Sequence, residues 1–170
     1  LKKLEYRGYD SAGLATLSNN LIDEKKCSGR VEELEKILIK NPSNGNIGIG
    51  HVRWATHGIP NIINAHPHSS EKVSVVHNGI IENSDELKKD LEEKGFKFKS
   101  QTDTEVITVL VTQFLENSKP LESVFKTLKK LKGSFALGII FKNFPDIIIG
   151  ARRGSPLAVG YSNKENYLGS

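Results

Sequence analysis

Methionine is absent from these 170 residues, and cysteine occurs once, at Cys27. A lone cysteine excludes an internal disulfide framework and fits a reducing compartment, so the expected location is the cytoplasm. No apolar run approaches the roughly 20 residues of a membrane-crossing helix, and no secretory leader pattern opens the sequence, which argues against a membrane partner. A basic block is missing too. The 24 Lys and Arg against 20 Asp and Glu leave +4, spread over helical faces without interleaved aromatics, so nucleic acid is not an expected partner. Repeats and low-complexity tracts are also lacking. What remains, 37% apolar and 26% charged, is the composition of a globular chain, and residues 1–170 are read as one domain.

The polar chemistry is concentrated around one stretch, Gly48 to Gly58. An apolar run from Ile47 to Val52 reads as a strand, and it empties into Arg53, Trp54, Thr56 and His57 within five residues. All five histidines (His51, His57, His66, His68, His77) fall between this stretch and His77, and the only tryptophan lies inside it. That is how a site is built at a strand end.

The remainder alternates in period. Leu1 to Tyr6 is helix-like and is broken by Arg7-Gly8-Tyr9-Asp10-Ser11. Ala12 to Leu17 and Leu21 to Lys26 read as two strands around Asn19-Asn20, an amide pair suited to the positive φ of a hairpin turn. Helical spacing of Leu34, Ile37 and Leu38 runs from Val31 until Pro42. Val73 to Ile81 is a second β-branched strand. Asn83 with Glu86 starts a helix ending at Gly95, Phe96 to Phe98 reads as a short strand, and Thr102 with Glu105 reads as a capping box for a helix to about Asn117. Pro120 suits the first position of a further helix, with Val124, Phe125, Leu128 and Leu131 inward. Phe135 to Phe141, Ile147 to Gly150 and Leu157 to Tyr161 are strands again. Strands on both sides of a helical middle predict an α+β fold, with sheets packed face to face and helices outside. Leu1 begins inside a helix end and Ser170 follows a strand-like run, so both ends are read as cut.

Five motifs then converge. Tyr6-Arg7-Gly8-Tyr9-Asp10-Ser11-Ala12-Gly13, Gly50-His51-Val52-Arg53-Trp54-Ala55-Thr56-His57-Gly58, Asn64-Ala65-His66-Pro67-His68, His77-Asn78-Gly79-Ile80-Ile81-Glu82-Asn83 and Thr102-Asp103-Thr104-Glu105 occur in this order. Together they resemble the glutaminase domain of the glutamine:fructose-6-phosphate aminotransferases. The resemblance spans essentially the whole chain and implies a four-layer αββα sandwich of the N-terminal-nucleophile hydrolase type, here truncated at both ends. It also implies hydrolysis of glutamine, with ammonia passed to fructose 6-phosphate in a sugar-phosphate isomerase region that these residues do not include. It calls for no cofactor, and for a homo-oligomer in the full-length protein. Amidotransferases acting on phosphoribosyl pyrophosphate share the Arg, Asn-Gly and Asp-Thr-Glu elements but lack the Trp-Ala-Thr-His-Gly and Ala-His-Pro-His forms.

Glutamine presents an α-carboxylate, an α-ammonium and a carboxamide, so its site needs a cationic fork, an anion and donors aimed at a developing oxyanion. The resemblance makes Arg53 the carboxylate fork, with Thr56 and His57 beside it, where a lone arginine would read as a surface ion pair. Trp54 reads equally as a core aromatic or as a pocket wall. Asn78-Gly79 is by itself a hairpin signal, and the resemblance makes it the oxyanion hole; one pair can serve both. Asp103 suits a helix N-terminus by charge alone, and the resemblance makes it the partner of the α-ammonium. Arg7 and His66 are candidate supports of the site. The histidines lack metal-site spacing, and Pro67 makes His66 and His68 part of a rigid loop, so no metal is expected.

The nucleophile is the departure. The family attacks with the thiol of an N-terminal cysteine whose α-amine, with a pKa of about 7.7 to 8.0, acts as base. This sequence begins at Leu1, and Cys27 sits in a strand-like run at a position the family does not reserve for cysteine. The 170 residues alone are therefore expected to be inactive. Two classes fit the motifs: an enzyme domain whose sequence is incomplete, and a glutamine-binding or structural module without a nucleophile. A Met-Cys start upstream of Leu1 separates them in favour of the enzyme.

Overall fold

The computed structural model describes residues 1–54 and 58–170. A 3-10 helix, Lys2–Arg7, leads into an antiparallel pair, β1 (Ser11–Ser18) and β2 (Leu21–Ser28). The turn between them holds Asn19 and Asn20 at φ of 50° and 60°, the left-handed values that both central residues of a type I′ turn require. The expected hairpin is there. Helix α1 (Val31–Lys40) follows at the expected place, and β3 (Ile47–Arg53) returns to the free edge of β1, giving a three-stranded sheet in the order β2-β1-β3. Val31 and Leu34 of α1 are buried with Ala12 and Cys27 on the outer face of this sheet.

The second sheet has the order β4-β5-β6-β7, from β4 (His68–Ser69), β5 (Val73–Ile81), β6 (Gly133–Phe141) and β7 (Phe144–Arg153), all antiparallel. Between β5 and β6 run α2 (Ser84–Glu93), α3 (Thr104–Leu115) and α4 (Pro120–Lys130), and α3 packs on β5 and β4. β8 (Ala158–Tyr161) and β9 (Asn166–Gly169) close the chain as a small hairpin.

Strand β6 is buried from Phe135 to Phe141 without interruption, which a strand shows only when both of its faces are covered. Phe135, Leu137, Ile139 and Phe141 join Val73, Val75, Ile107, Leu110 and Val111 in the main core, between sheet and helices. On the other face β3 lies against β5, β6 and β7, so the two sheets are stacked. Helix, sheet, sheet, helix is the expected αββα order. Among the described residues no helix is long and apolar enough to cross a membrane.

Local expectations failed in four places. Asn78-Gly79 is not a turn: both residues lie inside β5, paired with Ala136 and Phe135 of β6. Phe96 to Phe98 is not a strand; the two rings pack onto the main core, and Lys88 Nζ lies 5.2 Å from the centre of the Phe98 ring. The Thr102/Glu105 capping box does not close, because the Glu105 carboxylate accepts instead from the backbone N–H groups of Lys99 and Ser100, and Asp103 occupies the cap position. Phe125 of α4 is 56% exposed rather than inward, while Val124 and Leu131 are buried as expected.

Candidate active site

Between the two sheets, lined by Gly48 to Arg53 of β3, Val76 to Gly79 of β5 and Ala136 to Gly138 of β6, lies a cavity of about 390 Å³, within the range of about 300 to 1,000 Å³ usual for small-molecule sites. Period-2 alternation along β3 presents both His51 and Arg53 to it. From β5 come His77, Asn78 and Gly79, and from the start of α3 come Asp103 and Thr104. Three elements distant in sequence thus meet at one opening.

Opposite charges face each other across this space. Arg53 is 4% exposed; its Nη1 lies 3.7 Å from Asp10 Oδ1, and Nη2 donates to the Gly58 carbonyl at 3.3 Å. Burial lowers its pKa, against the pull of Asp10 and Asp103, and a guanidinium so placed stays charged. Asp103 Oδ2 accepts from the Ile81 backbone N–H at 2.8 Å, and Oδ1 is 3.9 Å from His77 Nδ1. Gly79 has φ +132°, and a Cβ built there would sit 2.1 Å from the Ser134 carbonyl oxygen, so the position admits only glycine.

A cluster of imidazoles lies behind these groups. His51 stacks on His66 with centroids 4.4 Å apart and planes 28° apart, and His66 meets His68 edge-on at 5.0 Å. Thr104 Oγ1 bridges His66 Nε2 at 2.8 Å and His77 Nδ1 at 2.9 Å, Thr102 Oγ1 is 2.9 Å from His68 Nε2, and His51 Nε2 is 2.9 Å from Asn78 Oδ1. Removal from water disfavours the charged rings: it pushes His51 down to about 4 and His68 to about 3, and holds His66 well below its ordinary value. His77 is lowered too, with Asp103 opposing the shift. All four are neutral near pH 7. Among the described residues no three His, Cys, Asp or Glu side chains gather as metal ligands would.

The fold therefore brings Arg53, Trp54, Asn78, Gly79 and Asp103 onto one cavity, with Arg7 and His66 in its wall. Thr56 and His57 lie outside the described residues. Trp54 is no core aromatic: it is 60% exposed, with its ring edge-on to Tyr9 at 5.4 Å. Sequence reasoning passed over His51, Thr104 and the β9 residues Asn166 to Gly169, which also line the space. His51 carried a usable signal, since it sits two residues before Arg53 and so on the same strand face. Cys27 is elsewhere. It is 4% exposed under α1, its Sγ 3.6 Å from the Arg30 carbonyl, and burial raises its pKa, the opposite of what activates a thiol.

Residues 60–170 match the family described as glutamine amidotransferase domain. The chain is 53% identical over 171 residues to the glutamine--fructose-6-phosphate aminotransferase [isomerizing] of Zymomonas mobilis, covering all of this chain and 28% of that protein. The corresponding Brucella suis protein is 54% identical over the same lengths. The chain thus spans little more than a quarter of the curated relatives it matches. Among solved structures, the glutamine phosphoribosylpyrophosphate amidotransferase of B. subtilis complexed with ADP and GMP superposes with a TM-score of 0.82 at 26% identity, over 97% of this chain and 36% of that one. A structure described as the allosteric regulatory enzyme of purine biosynthesis gives 0.83 at 27% identity, with the same shares covered.

Proposed function

This chain belongs to the glutamine amidotransferase domain family, and we propose that residues 1–170 form the glutaminase domain of a cytoplasmic enzyme that makes an amino sugar phosphate from glutamine and fructose 6-phosphate. One observation carries the reading: a buried cation, a carboxylate and an Asn-Gly pair line a single cavity of small-molecule size. Glutamine needs those three functions. Arg53 grips the α-carboxylate with its planar fork, and Asp103 takes the α-ammonium. The Asn78 amide and the Gly79 backbone N–H donate to the oxygen of the carboxamide as it becomes an oxyanion, and the missing Cβ of Gly79 lets the backbone come close. Trp54 walls the mouth.

The attacking thiol is not among the side chains that line the cavity, since Cys27 is buried under α1. The proposal assigns attack to an N-terminal cysteine of the whole protein, whose α-amine takes the thiol proton and later delivers it to the departing ammonia. The sugar acceptor, the region that binds it and assembly into a homo-oligomer belong to the whole protein. Fructose 6-phosphate is preferred to phosphoribosyl pyrophosphate as acceptor because identity is 53% to the aminotransferase over all of the chain and 26% to the phosphoribosyl enzyme over 97% of it.

Arg53→Lys in the whole protein tests the reading, because it keeps charge and loses the fork. The expected result is a KM for glutamine raised at least about tenfold, with sugar amination from free ammonia spared. Unchanged glutamine kinetics would remove Arg53 from the site.

A further inference from the structure

We propose that His51 is the positioning residue for Asn78, fixing as its Nε2–H tautomer which end of the Asn78 amide faces the cavity; the inference rests on the glutaminase reading above.

An asparagine amide is nearly symmetrical in shape and opposite in chemistry at its two ends. Turned one way, Asn78 offers N–H groups to a developing oxyanion; turned the other way, it offers a lone pair and repels it. Something must hold the carbonyl end away. Asn78 Oδ1 can only accept, and the group 2.9 Å from it is His51 Nε2, so that nitrogen carries the hydrogen. With Oδ1 engaged, the two Nδ2 hydrogens are left for the cavity that Asn78 lines.

A second observation bears on the same tautomer. His51 Nδ1 is buried and makes no hydrogen bond of ordinary geometry among the described residues, although the His77 backbone is near enough to raise the ring's pKa against the effect of burial. With the proton on Nε2 it has an acceptor in Asn78 Oδ1, whereas the other tautomer would set the Nε2 lone pair against that oxygen. Burial, opposed by the hydrogen bond to Asn78, holds the ring's pKa down to about 4, so it stays singly protonated near neutrality. Donation to Asn78 therefore persists through the neutral range. The ring cannot swing away either. It is stacked on His66, and His66 is tied through Nε2 to the Thr104 hydroxyl at the start of α3. The oxyanion donor on β5 is thus oriented from the opposite sheet.

The experiment compares turnover of glutamine by the whole protein with His51→Leu, His51→Gln, His51→Asn, Asn78→Ala and the double variant His51→Leu/Asn78→Ala. Losing an oxyanion donor lowers kcat about 10² to 10³-fold, so Asn78→Ala should fall in that range, and His51→Leu should lower kcat about 10 to 10²-fold with KM within about twofold. The double variant should be no slower than Asn78→Ala to within about threefold, because a residue that acts only through Asn78 has nothing left to orient. A glutamine side chain at position 51 reaches the place of Nε2 with an amide donor and should restore most of the turnover, whereas the shorter asparagine should not. Multiplicative losses in the double variant, or equal turnover in His51→Gln and His51→Asn, overturn the proposal; the latter comparison stands even if His51→Leu fails to fold. Normal turnover in Asn78→Ala overturns the oxyanion reading itself, and this inference with it. A loss in Asn78→Ala without one in His51→Leu overturns this inference alone.

Discussion

Asp103 is asked to do two things, and substitution can separate them. One carboxylate oxygen accepts the Ile81 N–H at 2.8 Å and so ties the end of β5 to the start of α3; the other accepts from the Thr104 hydroxyl at 3.5 Å, and the residue lines the cavity. Asp103→Asn keeps an oxygen for Ile81 and removes the charge. If the charge serves the α-ammonium of glutamine, KM should rise about tenfold or more while the melting temperature moves by a few degrees at most. If it serves only the positive end of α3, the change costs about 0.3 to 1 kcal/mol of stability and leaves KM alone. Steady-state kinetics beside a thermal melt decides. Arg53 alone reads as a surface ion pair, and only the surrounding motif makes it a site candidate; its burial is a finding of the fold. Its partner Asp10 lies 43 positions earlier and is met only through the pairing of Ser11 with Arg53 across β1 and β3.

At the scale of elements, β5 shows where local reading succeeds and where it stops. The β-branched run from Val73 to Ile81 announced a strand, and it is one; the Asn-Gly inside that run announced a turn, and there is none. A type I′ turn needs both central residues near the left-handed helical region, as Asn19 and Asn20 are, whereas Gly79 stands at φ +132°. Pairing with β6, some 55 residues further along, overrides the local preference, and no window of sequence shorter than that contains the reason. Thr102-Glu105 failed likewise: the capping pattern was present, but the Thr102 hydroxyl is used by His68 and Ser100. The helices and the longer strands were thus legible from period and type and the motif residues from the resemblance, while the short strands β4 and β9 and the side chains that support the motif across layers were not. Gly79→Ala probes this directly. The added methyl would meet the Ser134 carbonyl, in a backbone conformation disfavoured for alanine. We expect a loss of at least about 1 to 3 kcal/mol in urea unfolding. An unchanged midpoint would mean that β5 can shift away from β6 there at no cost.

Over the whole molecule the buried imidazoles set the response to acid. In the unfolded chain each titrates near its ordinary 6.5, while the fold holds His51 near 4 and His68 near 3. Protonation therefore favours the unfolded chain. Stability from these rings is complete above about pH 6.5 and drains away as pH falls from there toward 4, by up to about 1.4 kcal/mol per pH unit for each ring. Asp23, lowered from 3.8 chiefly by the hydrogen bond from Lys25, adds its own loss only at still lower pH. Melting temperatures across pH 7 to 4.5 should fall steadily, and His68→Gln should flatten the slope; a flat wild-type profile would contradict the neutral cluster. The stacking of the two sheets has another consequence. Arg53 and His51 ride on one sheet, Asn78 and Gly79 on the other, and the cavity is the gap between them, so on the proposed reading glutamine turnover by the whole protein would gauge how closely the sheets are docked. A slight parting or shear of the layers would disperse the groups that line the cavity while leaving every strand ladder intact. In rising urea, activity should disappear before far-ultraviolet dichroism changes and before the β5 and β6 amides lose protection from deuterium exchange, unless docking and strand pairing melt as a single unit.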